Sequence, residues 1–227
     1  MKPFDRFVVL TAEDQGYWGA LPNIRVIPNP LPFTSEETSS CKVTKVVAVG
    51  RYDFQKNFSK LLQLWARIAP QFPEWTLEIY GNGALRGELE QEVKELGISS
   101  SVTLAQPTHQ MKEVYLSASI YAMTSRYEGL PMVLIEAQQM GLPIVSFACP
   151  CGPRDVIHDG EDGFLIPMGE DDIFLKALTT LMASEEKRVC MGQRAREASA
   201  RYEVDAVMNK WLTLFSELVP TKPTTGL

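Results

Sequence analysis

The sequence predicts an α/β fold built as a doubly wound parallel sheet with helices on both faces. Three observations lead there. Short runs rich in Val and Ile recur between longer segments of helical periodicity, and from residue 43 onward the two kinds alternate strictly, the pattern of parallel strands joined by crossover helices. The chain has 227 residues, long for one ordinary domain and short for two, so one domain with an appended piece is expected. Its 45% hydrophobic and 22% charged residues are those of a chain that buries a core, which excludes disordered and fibrous classes. In such a sheet a ligand sits beyond the C-terminal ends of the strands.

Taken in order, strands are expected over 7–10 and 24–27, then over 43–49, 76–80, 102–104, 120–123, 144–146 and 163–166. Helices are expected over 56–72, 84–96, 109–117, 131–140, 152–159 and 171–182. The helix over 131–140 has clear boundaries, because Pro131 suits a first helical turn and Gly141 a helix end. The helix over 171–182 follows Gly169 and an acidic cluster, Glu170, Asp171 and Asp172, that the helix dipole favours at an N-terminus. Two closing helices are expected over 185–202 and 204–218. The second places Trp211, Leu212, Leu214, Phe215 and Leu218 on an apolar stripe at helical spacing. Residues 1–35 do not fit the alternating unit, and "IPNPLPFTSEETSS" (27–40) is a Pro-punctuated connector. The expected division is therefore 1–35 as the tail of an upstream domain plus linker, 36–220 as the main domain, and 221–227 as a frayed tail.

No run approaches a membrane span, and the first residues lack the basic start, apolar centre and small-residue cleavage site of a signal peptide, so a cytoplasmic location is expected. A net charge of −6 argues against bulk nucleic-acid binding. Cys149 and Cys151 flank a single proline, and the histidines are His109 and His158. That spacing does not suit zinc, so Cys41, Cys149, Cys151 and Cys190 are expected to be reduced structural thiols.

Three segments can carry chemistry. In "VVAVGRYDFQKNF", Gly50 and Arg51 follow a strand and Lys56 opens a helix. A strand end, a glycine turn and a helix start favour an anion, and a planar guanidinium with a mobile ammonium suits a diphosphate. The plainer alternative is a pair of solvated surface charges. In "LEIYGNGALRGELE", Gly81 and Gly83 mark a tight strand-to-helix turn that admits close backbone approach, a nucleotide included. Gly87 is one residue too far for G-x-G-x-x-G and the following "VTLAQP" ends without an acid, which disfavours a dinucleotide-dependent oxidoreductase. The glycine-lysine run of a P-loop ATPase does not occur. In "TSRYEGLPMVLIEAQQMGLPIVSF", Glu128 lies in the loop at the mouth of a helix and Glu136 lies inside it, among Met132, Val133, Leu134 and Ile135. A carboxylate there must be paired or hydrogen-bonded if buried. Glu136 suits the paired hydroxyls of a ribose and Glu128 the hydroxyls of a sugar. The alternative is a capping acid plus a salt-bridged helix acid.

These three segments, followed by "CGPRDVIHDGEDGFLIP", resemble in that order the C-terminal domain of family 4 glycosyltransferases of the GT-B fold, over roughly residues 24–218. The E-x7-E pattern from Glu128 to Glu136, with Gly-Leu-Pro inside it, is that family's signature. The resemblance implies a Rossmann-like domain that forms the C-terminal half of a GT-B fold. It implies retaining transfer of a sugar from a nucleotide-sugar, a UDP-sugar above others, to a hydroxyl acceptor in glycan or surface polysaccharide biosynthesis. Arg51 and Lys56 would then hold the donor diphosphate as it leaves, Glu136 would take the ribose hydroxyls, and Glu128 would contact the donor sugar. Gly129, Leu130 and Pro131 would present helix-start N–H groups to the phosphates. Arg51, Lys56 and Glu128 are thus the catalytic candidates. Gly50, Gly81, Gly83 and Gln106 complete the donor-binding set, with Gly83 and the 106–108 turn reading the base through backbone.

The same resemblance implies that no metal or other cofactor is needed, and no D-x-D triplet occurs. A glycan or lipid-linked acceptor would be bound by an N-terminal domain of which only a stub is present. The chain alone is therefore expected to bind donor without efficient turnover. Peripheral association of the whole protein with the inner membrane face is a further expectation, as is self-association through an exposed apolar face on the last helix. The rival from another class is a non-catalytic nucleotide-sugar-binding module or subunit.

Overall fold

A computed structural model describes residues 4–19 and 21–219; the tail expected over 221–227 lies outside the described residues. The chain opens with β1 (Phe7–Val9), α1 (Ala12–Tyr17) and β2 (Ile24–Val26), and the two strands pair in parallel. The sequence reading placed both strands and missed the helix. Its signal is a cap: the Thr11 hydroxyl accepts the Asp14 N–H at 3.1 Å, and the acids Glu13 and Asp14 fill the first turn.

The main unit follows as β3 (Lys45–Val49), α2 (Phe58–Ile68), β4 (Thr76–Tyr80), α3 (Arg86–Glu95), β5 (Val102–Ala105), α4 (Met111–Leu116) and β6 (Ile120–Met123). It continues as α5 (Met132–Gln139), β7 (Ile144–Phe147), α6 (Pro153–Val156), β8 (Gly163–Ile166), α7 (Asp171–Ala183), α8 (Glu185–Ser199) and α9 (Val204–Leu218). The six strands form one parallel sheet in the order β5-β4-β3-β6-β7-β8. The chain winds from β3 to one edge, then returns through β6 to the other, so the strand order reverses between β3 and β6. In sheets of this kind such a reversal is where a ligand crevice is expected, outside the strand ends.

Alternation along the strands feeds two cores, one on each face. Val46 and Ala48 of β3 join Leu77, Ile79, Trp65, Trp75 and Phe174 on the side of α2, α3 and α7. Val47 joins Tyr115, Tyr121, Leu134 and Ile135 on the side of α4 and α5. Every residue of β6 and β7 is buried, as expected of central parallel strands covered on both faces.

Three expected helices differ in extent for local reasons. The helix expected over 56–72 begins at Phe58 because Asn57 is left-handed (φ 53°), and it ends at Ile68 because Pro70 tightens Ala69–Gln71 into a 3-10 turn. The helix expected over 152–159 is the single turn α6. Ile157 is extended there (φ −103°, ψ 128°), and the Asp162 carboxylate takes the His158 N–H at 2.8 Å. The apolar stripe expected on the last helix divides between two faces. Val207, Trp211 and Leu214, spaced by four and three residues, pack on Ile27 and Val8, while Leu212, Phe215 and Leu218 are exposed. Among the described residues no helix is long and apolar enough to cross a membrane.

Candidate functional site

The candidate residues gather at the C-terminal ends of β3, β4 and β6, on loops fixed by backbone contacts. The Gly50 N–H donates to Tyr80 O at 3.0 Å and the Tyr52 N–H to Asn82 O at 2.9 Å, which ties the loop after β3 to the loop after β4. The Tyr52 ring is fully buried, and its hydroxyl donates to Ile79 O at 2.6 Å. The approach is so close that a β-carbon on Gly81 would lie 1.8 Å from Gly50 O, and one on Gly83 2.4 Å from Tyr52 O. Both glycines are therefore demanded by loop-on-loop packing. The sequence reading found the close approach and left open that its partner was a nucleotide; the nearest atoms are protein backbone.

Lys56 and Glu128 meet across the crevice. Lys56 Nζ is 2.7 Å from Glu128 Oε1, and the two side chains are 15% and 7% exposed. Asp53 accepts the Lys56 N–H at 3.0 Å, and Gln55 Nε2 donates to Tyr127 O at 3.0 Å and reaches Glu128 Oε2 at 3.4 Å. The Glu128 backbone is clamped from the other side: its N–H donates to Pro150 O at 2.6 Å, and its carbonyl accepts the Cys151 N–H at 3.1 Å. Gln55, Asp53 and the 150–152 segment were not among the sequence candidates: Gln55 and 150–152 act through contacts between distant loops, whereas Asp53 contacts its own loop, with an acid three residues before Lys56 as its local signal.

Glu136 sits in the second turn of α5, on the same helix whose mouth carries Glu128. Its Oε2 accepts the hydroxyl of the fully buried Tyr115 at 2.8 Å. Burial raises the Glu136 carboxyl above its usual range, and the Tyr115 hydrogen bond opposes that rise. Burial pushes the Tyr115 and Tyr121 phenols well up, so both stay neutral. The Tyr121 hydroxyl lies 3.3 Å from both the N and the O of Val49, joining β6 to the end of β3.

Arg51 does not join the Lys56–Glu128 pair. Its side chain is 74% exposed and is tethered at 3.2 Å to Asp53 and 3.3 Å to Gln55. It borders a separate cleft of about 320 Å³ lined also by Val49, Gly50, Tyr80, Gly81, Asn82, Pro107, Thr108 and Met111. Gln106 and Gly83 do not line that cleft; their neighbours Pro107, Thr108 and Asn82 do. One expectation is corrected outright. Pro131 is the N-cap residue of α5 and has no backbone N–H, so it presents no donor. The first-turn backbone donors belong to Met132, Val133 and Leu134, the last donating to Pro131 O at 3.0 Å, and Gly129 and Leu130 precede the cap. The acidic cluster at 170–172 is away from the site: Asp171 and Asp172 open α7 and pair with Lys60 and Arg67 of α2. The four cysteines are free, and burial pushes the Cys149 thiol up to about 12.

A held cation, a helix start and a half-buried carboxylate on one helix thus make an arrangement suited to an anion that carries hydroxyl groups. Residues 35–198 match the family described as "Glycosyl transferases group 1". The chain belongs to the group 1 glycosyl transferases. Similar proteins include the amylovoran biosynthesis glycosyltransferase AmsD of Erwinia amylovora, 37% identical over an alignment of 217 residues that covers 91% of this chain and 61% of that protein. A second is an alpha-1,4-N-acetyl-D-galactosaminyltransferase of Campylobacter jejuni, 30% identical over 95% of this chain and 61% of its own length. The chain therefore spans about three fifths of these relatives. Among solved structures, S. aureus TarM in a complex that includes UDP superposes with a TM-score of 0.84 at 22% identity, over 93% of this chain and 44% of that one. Anabaena HepE with UDP and glucose gives 0.80 at 20% identity, over 94% and 63%. At these identities the likeness is one of fold, and it is the helix-flanked parallel sheet of GT-B glycosyltransferases.

Proposed function

We propose that this chain is the C-terminal, donor-binding half of a family 4 retaining glycosyltransferase. Its crevice takes the nucleoside diphosphate of a UDP-sugar, and the whole protein passes the sugar to a hydroxyl of a glycan or lipid-linked acceptor in polysaccharide biosynthesis. The observation that carries the reading is the 2.7 Å Lys56–Glu128 pair at the mouth of α5, with Glu136 held by Tyr115 one helix turn deeper.

Glycosyl transfer concentrates negative charge on the departing diphosphate, where a preorganised cation and helix-start N–H groups lower the barrier most. Lys56 would meet that charge, with Arg51 swinging in from the rim and the Gly129–Leu130 peptide groups facing it. Glu136 would accept the ribose hydroxyls and Glu128 a hydroxyl of the sugar. Neither carboxylate need attack, so the two-carboxylate scheme of glycosidases is not invoked. The cleft bounded by Tyr80, Asn82, Pro107 and Met111 offers apolar walls and one amide for the base. The transferase names of the two relatives and the UDP in two fold neighbours support the reading. The reading includes no metal, a cytoplasmic setting, and peripheral attachment of the whole protein to the membrane face.

The test is calorimetric titration of the chain with UDP, GDP and ADP in the presence of a chelator, beside Glu136→Ala. UDP is expected to bind, and the variant to lose about 1.5–3 kcal/mol as a charge-assisted contact disappears. Silence with all three nucleotides, or equal affinity in the variant, overturns the assignment. Tight binding of GDP or ADP instead would replace the base and leave the rest.

A further inference from the structure

The N-terminal segment reaches the candidate site through a pair of reciprocal caps. The Asp155 carboxylate accepts the N–H groups of Ala12 at 2.6 Å and Glu13 at 3.3 Å, holding the start of α1. The Glu13 carboxylate in return accepts the Gly152 N–H at 3.3 Å and pairs with Arg154 Nη1 at 3.1 Å, holding the start of α6. The Glu13 side chain is 19% exposed, so water competes weakly for it.

Gly152 is in turn seated on the turn that carries Glu128. Its φ is +94°, and a β-carbon there would lie 2.5 Å from Gly129 O and 2.5 Å from the Pro131 ring. The two residues before it clamp Glu128 through the Pro150 carbonyl and the Cys151 N–H. Contacts therefore run without a gap from Glu13 through residues 152–150 to residues 128–131. The strap has little to hold it internally, because α6 is a single turn of 4 residues and its first residue, Pro153, has no N–H. Its placement depends on outside partners, and Glu13 is the carboxylate that supplies one.

We infer that Glu13 is a positioning residue whose carboxylate holds the 150–152 strap against the 128–131 turn, and so sets where Glu128 presents to a ligand. The inference rests on Glu128 being part of the donor site. It gives the segment before the main sheet a role in that site.

The test is amide-resolved hydrogen exchange on the full chain, with UDP affinity measured on the same samples. In Glu13→Ala the amides of Gly152, Cys151 and Glu128 are expected to exchange about tenfold faster or more, the scale of a lost charge-assisted hydrogen bond. Amides of β3, β6 and β7 should keep their rates. Glu13→Gln, which keeps an acceptor oxygen, should restore most of the protection. Glu13→Asp, one methylene short, should not, and UDP should bind more weakly to the Ala and Asp variants than to the Gln variant. Unchanged rates at 128, 151 and 152 in the Ala and Asp variants overturn the inference, as does an equal loss of protection over the central strands. If the unaltered chain ignores UDP while the exchange pattern appears, the donor reading fails and the hold of Glu13 on the turn stands. UDP binding with unperturbed exchange refutes Glu13 alone.

Discussion

Replacing Lys56 with Met removes the ammonium and keeps a stem of similar bulk. The stem matters because it covers Gly50: a β-carbon there would lie 3.0 Å from Lys56 Cγ and 3.1 Å from Cδ. What disappears is the 2.7 Å contact to Glu128, in a pair whose side chains are 15% and 7% exposed. Removing one partner of a buried pair strands the other charge and typically costs about 3–5 kcal/mol. The lower end applies, because Gln55 Nε2 still reaches the second Glu128 oxygen at 3.4 Å and the pair is not fully buried. A loss of about 3 kcal/mol, divided by a urea slope of roughly 2–3 kcal/mol/M, lowers the unfolding midpoint by about 1 M. The assay is urea unfolding of Lys56→Met, Glu128→Gln and the double variant. Coupling above about 1 kcal/mol is expected, with the double variant less damaged than the sum of the singles. Simple additivity, or a Lys56→Met variant as stable as its parent, would refute the claim that the two side chains form one desolvated unit.

Gly81→Ala should destabilise the fold by about 3 kcal/mol or more, since its β-carbon would meet Gly50 O at 1.8 Å and backbone cannot step aside; a melting temperature within a degree of the parent would contradict that. Arg51→Ala should behave oppositely, with stability unchanged to within about 0.5 kcal/mol and UDP binding reduced about tenfold, because the side chain is 74% exposed and bound only to its own loop. For Glu136 the folded carboxyl is raised, so the folded state holds its proton to higher pH than the unfolded chain does. Stability from this group is therefore full below the unfolded value near 4.5 and declines as pH rises from there through the raised folded value. Glu136→Gln should flatten that decline and Tyr115→Phe should steepen it, read from urea midpoints at pH 4, 5, 6 and 7; parallel profiles would show that Tyr115 does not support the carboxylate.

Much of the sheet was legible because a parallel strand leaves a local mark. Residues 76–80, 120–123 and 163–166 were located to the residue, each a short Val/Ile-rich or aromatic run bounded by turn residues. α1 escaped because 6 residues carry no apolar period, and only the Thr11 cap betrays it. Lys56 and Glu128 were each singled out from a helix-start context, yet their contact spans 72 positions and depends on β3 lying beside β6. Tyr115 and Gln55 were invisible for the same reason: nothing local marks a tyrosine as the partner of a carboxylate 21 residues on. The glycine pair was legible as a close approach, but identifying what approached required the second loop.

The geometry of Lys56 bears on what the crevice can distinguish. An ammonium has three hydrogens, and Glu128 accepts one of them at 2.7 Å. Its backbone is fixed by Asp53, and the Glu128 backbone is fixed by Pro150 and Cys151, so neither side chain is free to leave with its loop. The remaining ammonium hydrogens can meet a phosphate oxygen without breaking the pair. Glu128, however, keeps its own charge beside that phosphate, which weakens the hold on an anion alone. A ligand that brings a hydroxyl next to its phosphates removes the conflict, because the carboxylate then accepts a hydrogen bond where it would otherwise only repel. In the proposed donor site a fixed carboxylate beside a fixed ammonium would disfavour a bare diphosphate relative to a diphosphate that carries a sugar, and the discrimination would come from a repulsive element built into the site.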